Sequence, residues 1–235
     1  MGEISRRLNL PERGAYYDAL AAEIREEIAG KYFDPAVLQY AGAPQGTAFA
    51  LFAGLPERGT LASAVAYYEK AGCFDTGILG TPLVLQMLVQ AGREDIALSL
   101  LRAEKEPSFA YLFDGSRTTL RECCDGRESH NHPMFGSVVG SFMRILPGIP
   151  RSLAGMGQGL LVAPYIPRDM EWAAGYTQTP WGRLSVEWKR SARGALRIAV
   201  EAPDSIEGRL QYGGRSWRLA GGKTAIRKTA ITIME

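Results

Sequence analysis

The 235 residues predict an α plus β chain in two domains, a helical half of toroid type followed by a small antiparallel β-sandwich. Three observations carry this. Apolar residues recur at spacings of three and four from Tyr17 to Leu146, the signature of helices with one buried face. From Leu184 onward the period drops to two, the signature of half-buried strands. The length suits one large domain or two ordinary ones, and the change of period favours two.

In chain order, Tyr17, Leu20, Ala21, Ile24 and Ile28 line one side of a first helix, with Gly30 as its stop. After FDPAVLQYAGAPQ a second apolar segment runs from Thr47 to Leu55, and a third helix from Thr60 to Ala71 is closed by Gly72. Thr81-Pro82 predicts a hydroxyl cap and a first-turn proline for a helix ending at Gly92. A further helix spans Glu94 to Ala103, and Phe135 to Leu146 makes the last, stopped by Pro147-Gly148. No strand is expected before this point. The helices come in pairs with uneven, polar loops, which fits a toroid better than a solenoid. Beyond a boundary near Gly148 to Gly157, strands are expected at 159–163, 170–177, 183–189, 196–200, 209–212, 216–220 and 225–233, separated by Gly-Gly and Pro-Asp turns.

Composition narrows the function classes. Lys and Arg number 27 against 25 Asp and Glu, a net charge of +2 with both signs interleaved, so no field is present to hold nucleic acid. No stretch approaches the ~18 apolar residues of a membrane span. MGEISRRLNLPERG lacks the apolar core of a signal peptide, which leaves the cellular location open. Three cysteines, two of them adjacent, do not make a disulfide framework.

Polar chemistry concentrates between Ser116 and Pro147, which holds both histidines, two cysteines and Glu122 behind Thr118-Thr119. His130 and His132 stand one residue apart, so on extended backbone their rings point to opposite sides and at most one faces a given ligand. Two readings of Glu122 stand side by side. It is an acid or base in a cleft, with His132 as a hydrogen-bonding group for a polar substrate, or it is a loop carboxylate paired with Arg117, Arg121 or Arg127. Zinc spaces its ligands as C-x2-4-C and H-x3-5-H; adjacent Cys123-Cys124 and an H-x-H pair fit this poorly, and no metal is expected. Nothing places either thiol beside a ring nitrogen, and DTGILG lacks the lysine and the strand-to-helix context of a phosphate loop, so no cofactor is expected either. Trp172, Trp181, Trp188 and Trp217 all fall in the β half. Their faces are able to stack on sugars, but on alternating strands they are expected in the core.

The run FDTGILGTPLVLQMLVQAGREDIALSLL, then EPSFAYLFDGSRTTLRECCDG and SHNHPMFGSVVGSFMRILPGI, resembles the C-terminal half of the catalytic domain of bacterial α-L-rhamnosidases, glycoside hydrolase family 78. YIPRDMEWAAGYTQTPWGRLSVEWKR is similar to the β-sandwich that closes those enzymes. The resemblance implies that residues 1–150 are the C-terminal half of an (α/α)6 barrel and 151–235 a C-terminal β-sandwich. It implies inverting hydrolysis of terminal α-L-rhamnosyl residues, with a rhamnose-containing oligosaccharide or glycoside as substrate. The family's base falls on Glu122 of TTLRECCD, its sugar-contacting histidine on His132, and its aromatic position on Tyr111 of PSFAY.

Three departures accompany the resemblance. Arg121 and Cys124 stand where the family has tryptophans beside the base, Ala110 stands for a glycine, and the segment that carries the general acid has no counterpart here. The expectation is therefore a part of a larger enzyme, missing the N-terminal half of its barrel, inactive alone and prone to self-associate as a homo-oligomer through the face left open. The alternative is a degenerate, non-catalytic carbohydrate-binding protein.

Overall fold

Helix boundaries in the first half follow proline and glycine chemistry closely. The chain is described here by a computed structural model for residues 1–113, 118–150, 159–192, 194–204 and 206–219, and for the backbone of 227–233. It divides into two compact units, Met1–His132 and Pro133–Glu235. The first unit opens with α1 (Gly2–Arg7) and α2 (Pro11–Tyr32), whose proline sits in the first turn, where no backbone N–H is needed. α2 runs through Gly30, the expected stop, and ends where Phe33 turns extended. A glycine costs a helix only about 1 kcal/mol relative to alanine, too little to end it without a change of backbone.

Phe33–Asp34 (β1) and Gln39–Tyr40 (β2) form a two-residue antiparallel ladder, which corrects the expectation of no strand in this half. The Asp34 carboxylate accepts the Ala36 N–H at 2.8 Å and so turns the chain at Pro35. Tyr40, at 2% exposure, is the largest member of a small cluster with Ala29, Ala50 and Leu55, and its hydroxyl donates to the Pro56 carbonyl at 2.8 Å.

α3 (Pro44–Phe52) begins at its proline, three residues before the expected Thr47. α4 (Thr60–Ala71) has the expected limits and closes on Gly72 at φ +64°. α5 (Gly80–Gln90) starts one residue before Thr81, which is not its cap; the Thr81 hydroxyl lies 2.9 Å from that of Thr76 and 3.1 Å from the Thr76 carbonyl. α6 (Glu94–Leu101) and the short α7 (Phe109–Leu112) follow. Val84, Leu85, Leu88, Ala97 and Leu100 are fully buried and form the centre of α5 and α6 packing.

The second unit begins with a 3-10 turn, Pro133–Ser137, and α8 (Val138–Ile145), two elements where periodicity alone suggests one. Seven strands follow: β3 (Leu160–Val162), β4 (Trp172–Thr179), β5 (Gly182–Arg190), β6 (Leu196–Ala202), β7 (Gly208–Tyr212), β8 (Arg215–Leu219) and β9 (Arg227–Ile233). One sheet has the order β4-β5-β6-β9 and the other β3-β7-β8. All ladders are antiparallel except β3 with β7, which pair in parallel. This departs from the all-antiparallel expectation, because β4 to β6 together form the crossover that parallel partners require. Leu184, Val186, Trp188, Leu196, Ile198 and Val200 from one sheet meet Leu160, Val162, Leu210 and Leu219 from the other in a single core. The segment 151–158 at the expected domain boundary, and residues 220–226 before β9, lie outside the described residues.

α8 is fastened to this core. Met143 and Leu146 pack against it, and the buried Trp188 Nε1–H donates to the Leu146 carbonyl at 2.8 Å. Gly148, at φ +70°, lets the chain pass the Ala163 backbone, which a Cβ would approach to 2.2 Å. Of the four tryptophans, Trp188 is in the core and Trp217 packs against it, whereas Trp172 and Trp181 are 61% and 52% exposed. The core expectation fails for these two because Trp172 takes an outward position of β4 and Trp181 sits in the β4–β5 turn.

Trp188→Phe is expected to lower stability by at least about 1 kcal/mol, because the Leu146 carbonyl loses its donor inside the core. Urea unfolding with an unchanged slope is the check. Gly148→Ala is expected to cost more than the ~1 kcal/mol of a left-handed backbone penalty, since a steric clash adds to it.

Candidate functional site

The loop after α7 is built from three backbone segments laid side by side. Phe113 bridges Leu120 in antiparallel fashion, and the Arg121 N–H donates to the Leu112 carbonyl. On the other side the His132 N–H donates to the Leu120 carbonyl at 2.7 Å and the Glu122 N–H to the Ser129 carbonyl at 2.8 Å. Leu120 to Glu122 is therefore the middle segment, held from both flanks. The chain between Glu122 and Ser129 closes as a turn through Gly126, at φ +74°, whose N–H reaches the Cys123 carbonyl at 3.2 Å.

This scaffold brings Glu122 and His132 together: Nδ1 of the ring lies 3.5 Å from Oε2 of the carboxylate. His132 is largely covered, at 13% side-chain exposure, while Glu122 keeps 43%. One face of the carboxylate is thus occupied by a ring and the rest is open to a ligand or water. His130 takes a different partner, its Nε2 lying 2.8 Å from the Gly126 carbonyl. Tyr111 stands exposed on α7, next to the residue whose carbonyl receives Arg121.

Among the described residues no ion pair joins Glu122 to the arginines named as its alternative partners. Arg127 is clamped by Asp125, with Nη2 to Oδ2 at 2.6 Å, and this guanidinium holds the Asp125 carboxyl below the usual range. Arg121 keeps its Nε buried and without a hydrogen bond, its guanidinium lying against Gly126. Arg117 falls outside the described residues. Burial raises the Cys124 thiol, which lies 3.9 Å from the Ser108 carbonyl, and burial with the nearby carboxylates Asp125 and Glu122 raises Cys123. A raised thiol is a poor nucleophile and a poor metal ligand. Among the described residues no group of three His, Cys, Asp or Glu side chains is placed to hold a metal ion.

A second carboxylate was not singled out by sequence. Asp75 accepts the Tyr67 hydroxyl at 2.8 Å and the Tyr68 hydroxyl at 2.9 Å, one on each oxygen. Phe74 beside it packs edge-on against Phe109 of α7, with ring centroids 5.9 Å apart, so the FDTG run and α7 are joined through aromatic contact. The signal in the sequence is the Tyr-Tyr pair at the end of α4, eight and seven residues before the aspartate. Desolvation and the Asp75 charge push the buried Tyr68 phenol far up, and the hydrogen bond to Asp75 raises Tyr67.

The sequence model of the bacterial alpha-L-rhamnosidase 6 hairpin glycosidase domain matches residues 1–146, and that of the bacterial alpha-L-rhamnosidase C-terminal domain matches residues 148–223. An α-L-rhamnosidase of Alteromonas sp. (strain LOR) is 30% identical over 142 residues, covering 56% of this chain and 15% of that protein. One from Formosa agariphila is 26% identical over 200 residues, covering 77% of this chain and 21% of that protein. Among solved structures, the α-L-rhamnosidase of Aspergillus terreus superposes with a TM-score of 0.80 at 20% identity, over 98% of this chain and 28% of that one. That of Dictyoglumus thermophilum gives 0.76 at 22% identity, over 89% and 25%. At these identities the structures speak for the fold. The chain spans between 14% and 21% of the length of the curated relatives it matches.

The tyrosine cluster makes a pH prediction. Because the folded phenols hold their protons more tightly than an unfolded tyrosine, the stability they contribute is complete below about pH 10 and is lost as pH rises above it. Urea melts between pH 8 and pH 11 are expected to show this alkaline decline, reduced in Tyr68→Phe.

Proposed function

Since this chain belongs to the bacterial α-L-rhamnosidase six-hairpin glycosidase family, we propose that it carries the water-activating half of an inverting glycosidase site acting on a rhamnose-containing glycoside. The observation that supports this most directly is the Glu122–His132 pair, a half-exposed carboxylate steadied by a covered ring on a backbone pinned from both sides.

Hydrolysis with inversion needs one carboxylate to take a proton from the attacking water and one acid, ~6.5 to 9.5 Å away, to protonate the leaving oxygen. Glu122 is the first of these. Its exposed oxygen receives the water proton as the water attacks the anomeric carbon of a terminal α-L-rhamnosyl unit. With its proton on Nδ1, His132 steadies the other oxygen. The exposed Tyr111 ring offers a face to the sugar. The acid comes from helices beyond those of this chain, which supplies a partial (α/α)6 toroid in residues 1–150 and a β-sandwich in 151–235. Two facts support that reading: the small share of the relatives' length that is spanned, and the apolar side chains Leu20, Ile24, Phe49 and Phe52, which are 37% to 64% exposed on α2 and α3.

A second reading is favoured by one observation. Arg121 buries an unpartnered Nε, and the Cys124 thiol is committed to Ser108, at the positions where the family carries tryptophans. A pocket wall so altered suits a protein that binds sugar without turning it over.

Assays on an aryl α-L-rhamnoside separate the two. The chain alone is expected to be inactive and the full reading frame that contains it active, with Glu122→Gln lowering kcat by roughly 10²- to 10⁴-fold. Unimpaired hydrolysis by that variant removes Glu122 as the base. Calorimetric binding of rhamnose by the full reading frame without turnover favours the second reading. Light scattering tests the open face: the isolated chain is expected to self-associate, and a monodisperse monomer counts against a partial toroid.

A further inference from the structure

The outer face of the four-stranded sheet contains a concavity that the proposed function does not use. On this face β4 contributes Trp172, Ala174 and Tyr176, β5 contributes Arg183, Ser185 and Glu187, and β6 contributes Ala199 and Glu201. Glu187 stands directly between Ala174 and Ala199 on the neighbouring strands. Small side chains on both sides of it lower the surface, while Tyr176, Arg183 and Glu201 raise the surround. The result is a cup of about 440 Å³, within the range of small-molecule sites.

The wall chemistry is specific. Tyr176 is 60% exposed although it lies mid-strand, and the Arg183 guanidinium sits 4.0 Å from its ring centroid. That stacking fixes the ring upright and leaves its other face available. Ser185 pairs across from Tyr176 and donates to Glu201 at 3.4 Å. The cup therefore offers one flat apolar face, carboxylate acceptors and a hydroxyl that, donating to Glu201, is left to accept. Two carboxylates, Glu187 and Glu201, against the one guanidinium of Arg183 disfavour a phosphate-bearing ligand, and a lipid chain would strand those carboxylates against hydrocarbon. A neutral ring with hydroxyl donors on its rim and C–H groups on one face satisfies every wall.

We propose that this cup is a carbohydrate-binding site for a neutral pyranose unit, separate from the residues around Glu122. Trp172 lies four residues before Tyr176 on the same outward register, some ~13 Å along the strand at 3.3 Å per residue. An oligosaccharide long enough to span that distance meets both aromatics, so such chains bind more tightly than single sugars. The site holds polysaccharide near the protein without chemistry, and it does not depend on the catalytic reading above.

The test is amide chemical-shift mapping of the whole chain titrated with L-rhamnose, D-galactose and a rhamnose-containing tetrasaccharide. Saturable shifts at the amides of residues 174 to 187, with a dissociation constant on the order of 1 mM for the single sugars and lower for the tetrasaccharide, are expected. Tyr176→Ala and Glu187→Gln each weaken that binding by roughly tenfold, about 1.4 kcal/mol, with thermal unfolding unchanged in Glu187→Gln, whose side chain faces solvent. Glu122→Gln leaves these shifts intact, which separates the result from any failure of the glycosidase reading. Absence of shifts on the sheet, shifts confined to residues 111 to 132, or affinities unaltered in both sheet variants overturns the proposal.

Discussion

The hydrogen bond from the His132 amide to the Leu120 carbonyl, 2.7 Å long, is the constraint on which the candidate site depends. Nine residues of chain separate Glu122 from His132, most of them in an exposed turn that has little apolar surface to bury. Without a backbone tie at its base, such a loop would place the two side chains independently. The tie gives the ring its position relative to the carboxylate, and the bond from Arg121 to Leu112 carries that position back to α7. α7 in turn rests on Phe74 through Phe109. The polar pair is thus mounted on an aromatic contact, which is insensitive to salt and to the protonation of the groups it supports.

The sandwich follows a different economy. Its core is a single apolar cluster, and the indole N–H of the buried Trp188 is satisfied by the end of α8. A buried donor that must meet its acceptor specifies geometry more sharply than another aliphatic contact would. Gly175 reinforces this, because a Cβ there would come within 2.7 to 2.8 Å of Met143 and Pro147. α8 consequently lies with the strands, and the compact units divide at His132 and Pro133, whereas the two matched family domains meet near residue 147.

Much of the fold was legible because local rules and tertiary structure agree. Thr60 to Ala71 reads as a helix closed by Gly72 and is one; β4 to β8 lie within a few residues of the alternating runs. Gly30 and Thr81 carry local signals for helix ends, but one helix runs through its glycine and the other starts before its hydroxyl. The parallel pairing of β3 with β7 leaves no mark on either strand, since the choice of partner is made by topology. The exposure of Trp172 and Trp181 depends on which residue of a strand faces out and where a turn falls, a one-residue matter. At the site, motif resemblance pointed to Glu122, His132 and Tyr111, and spacing alone left Glu122 between two readings. The Asp75 cluster escaped notice because tyrosines in a helix look like core until their hydroxyls are traced.

The parallel ladder between Leu160–Val162 and Gly208–Leu210 has a kinetic implication. β4, β5 and β6 pair with their sequence neighbours and close short loops, whereas β3 must wait for a partner that lies beyond all three. Loop-closure entropy therefore orders assembly, with the hairpins first and β3 last. The strand that fastens the entrance of the sandwich is the one that arrives after the sheet beside it already exists, so its residues govern how quickly the finished unit comes apart more than how quickly it forms.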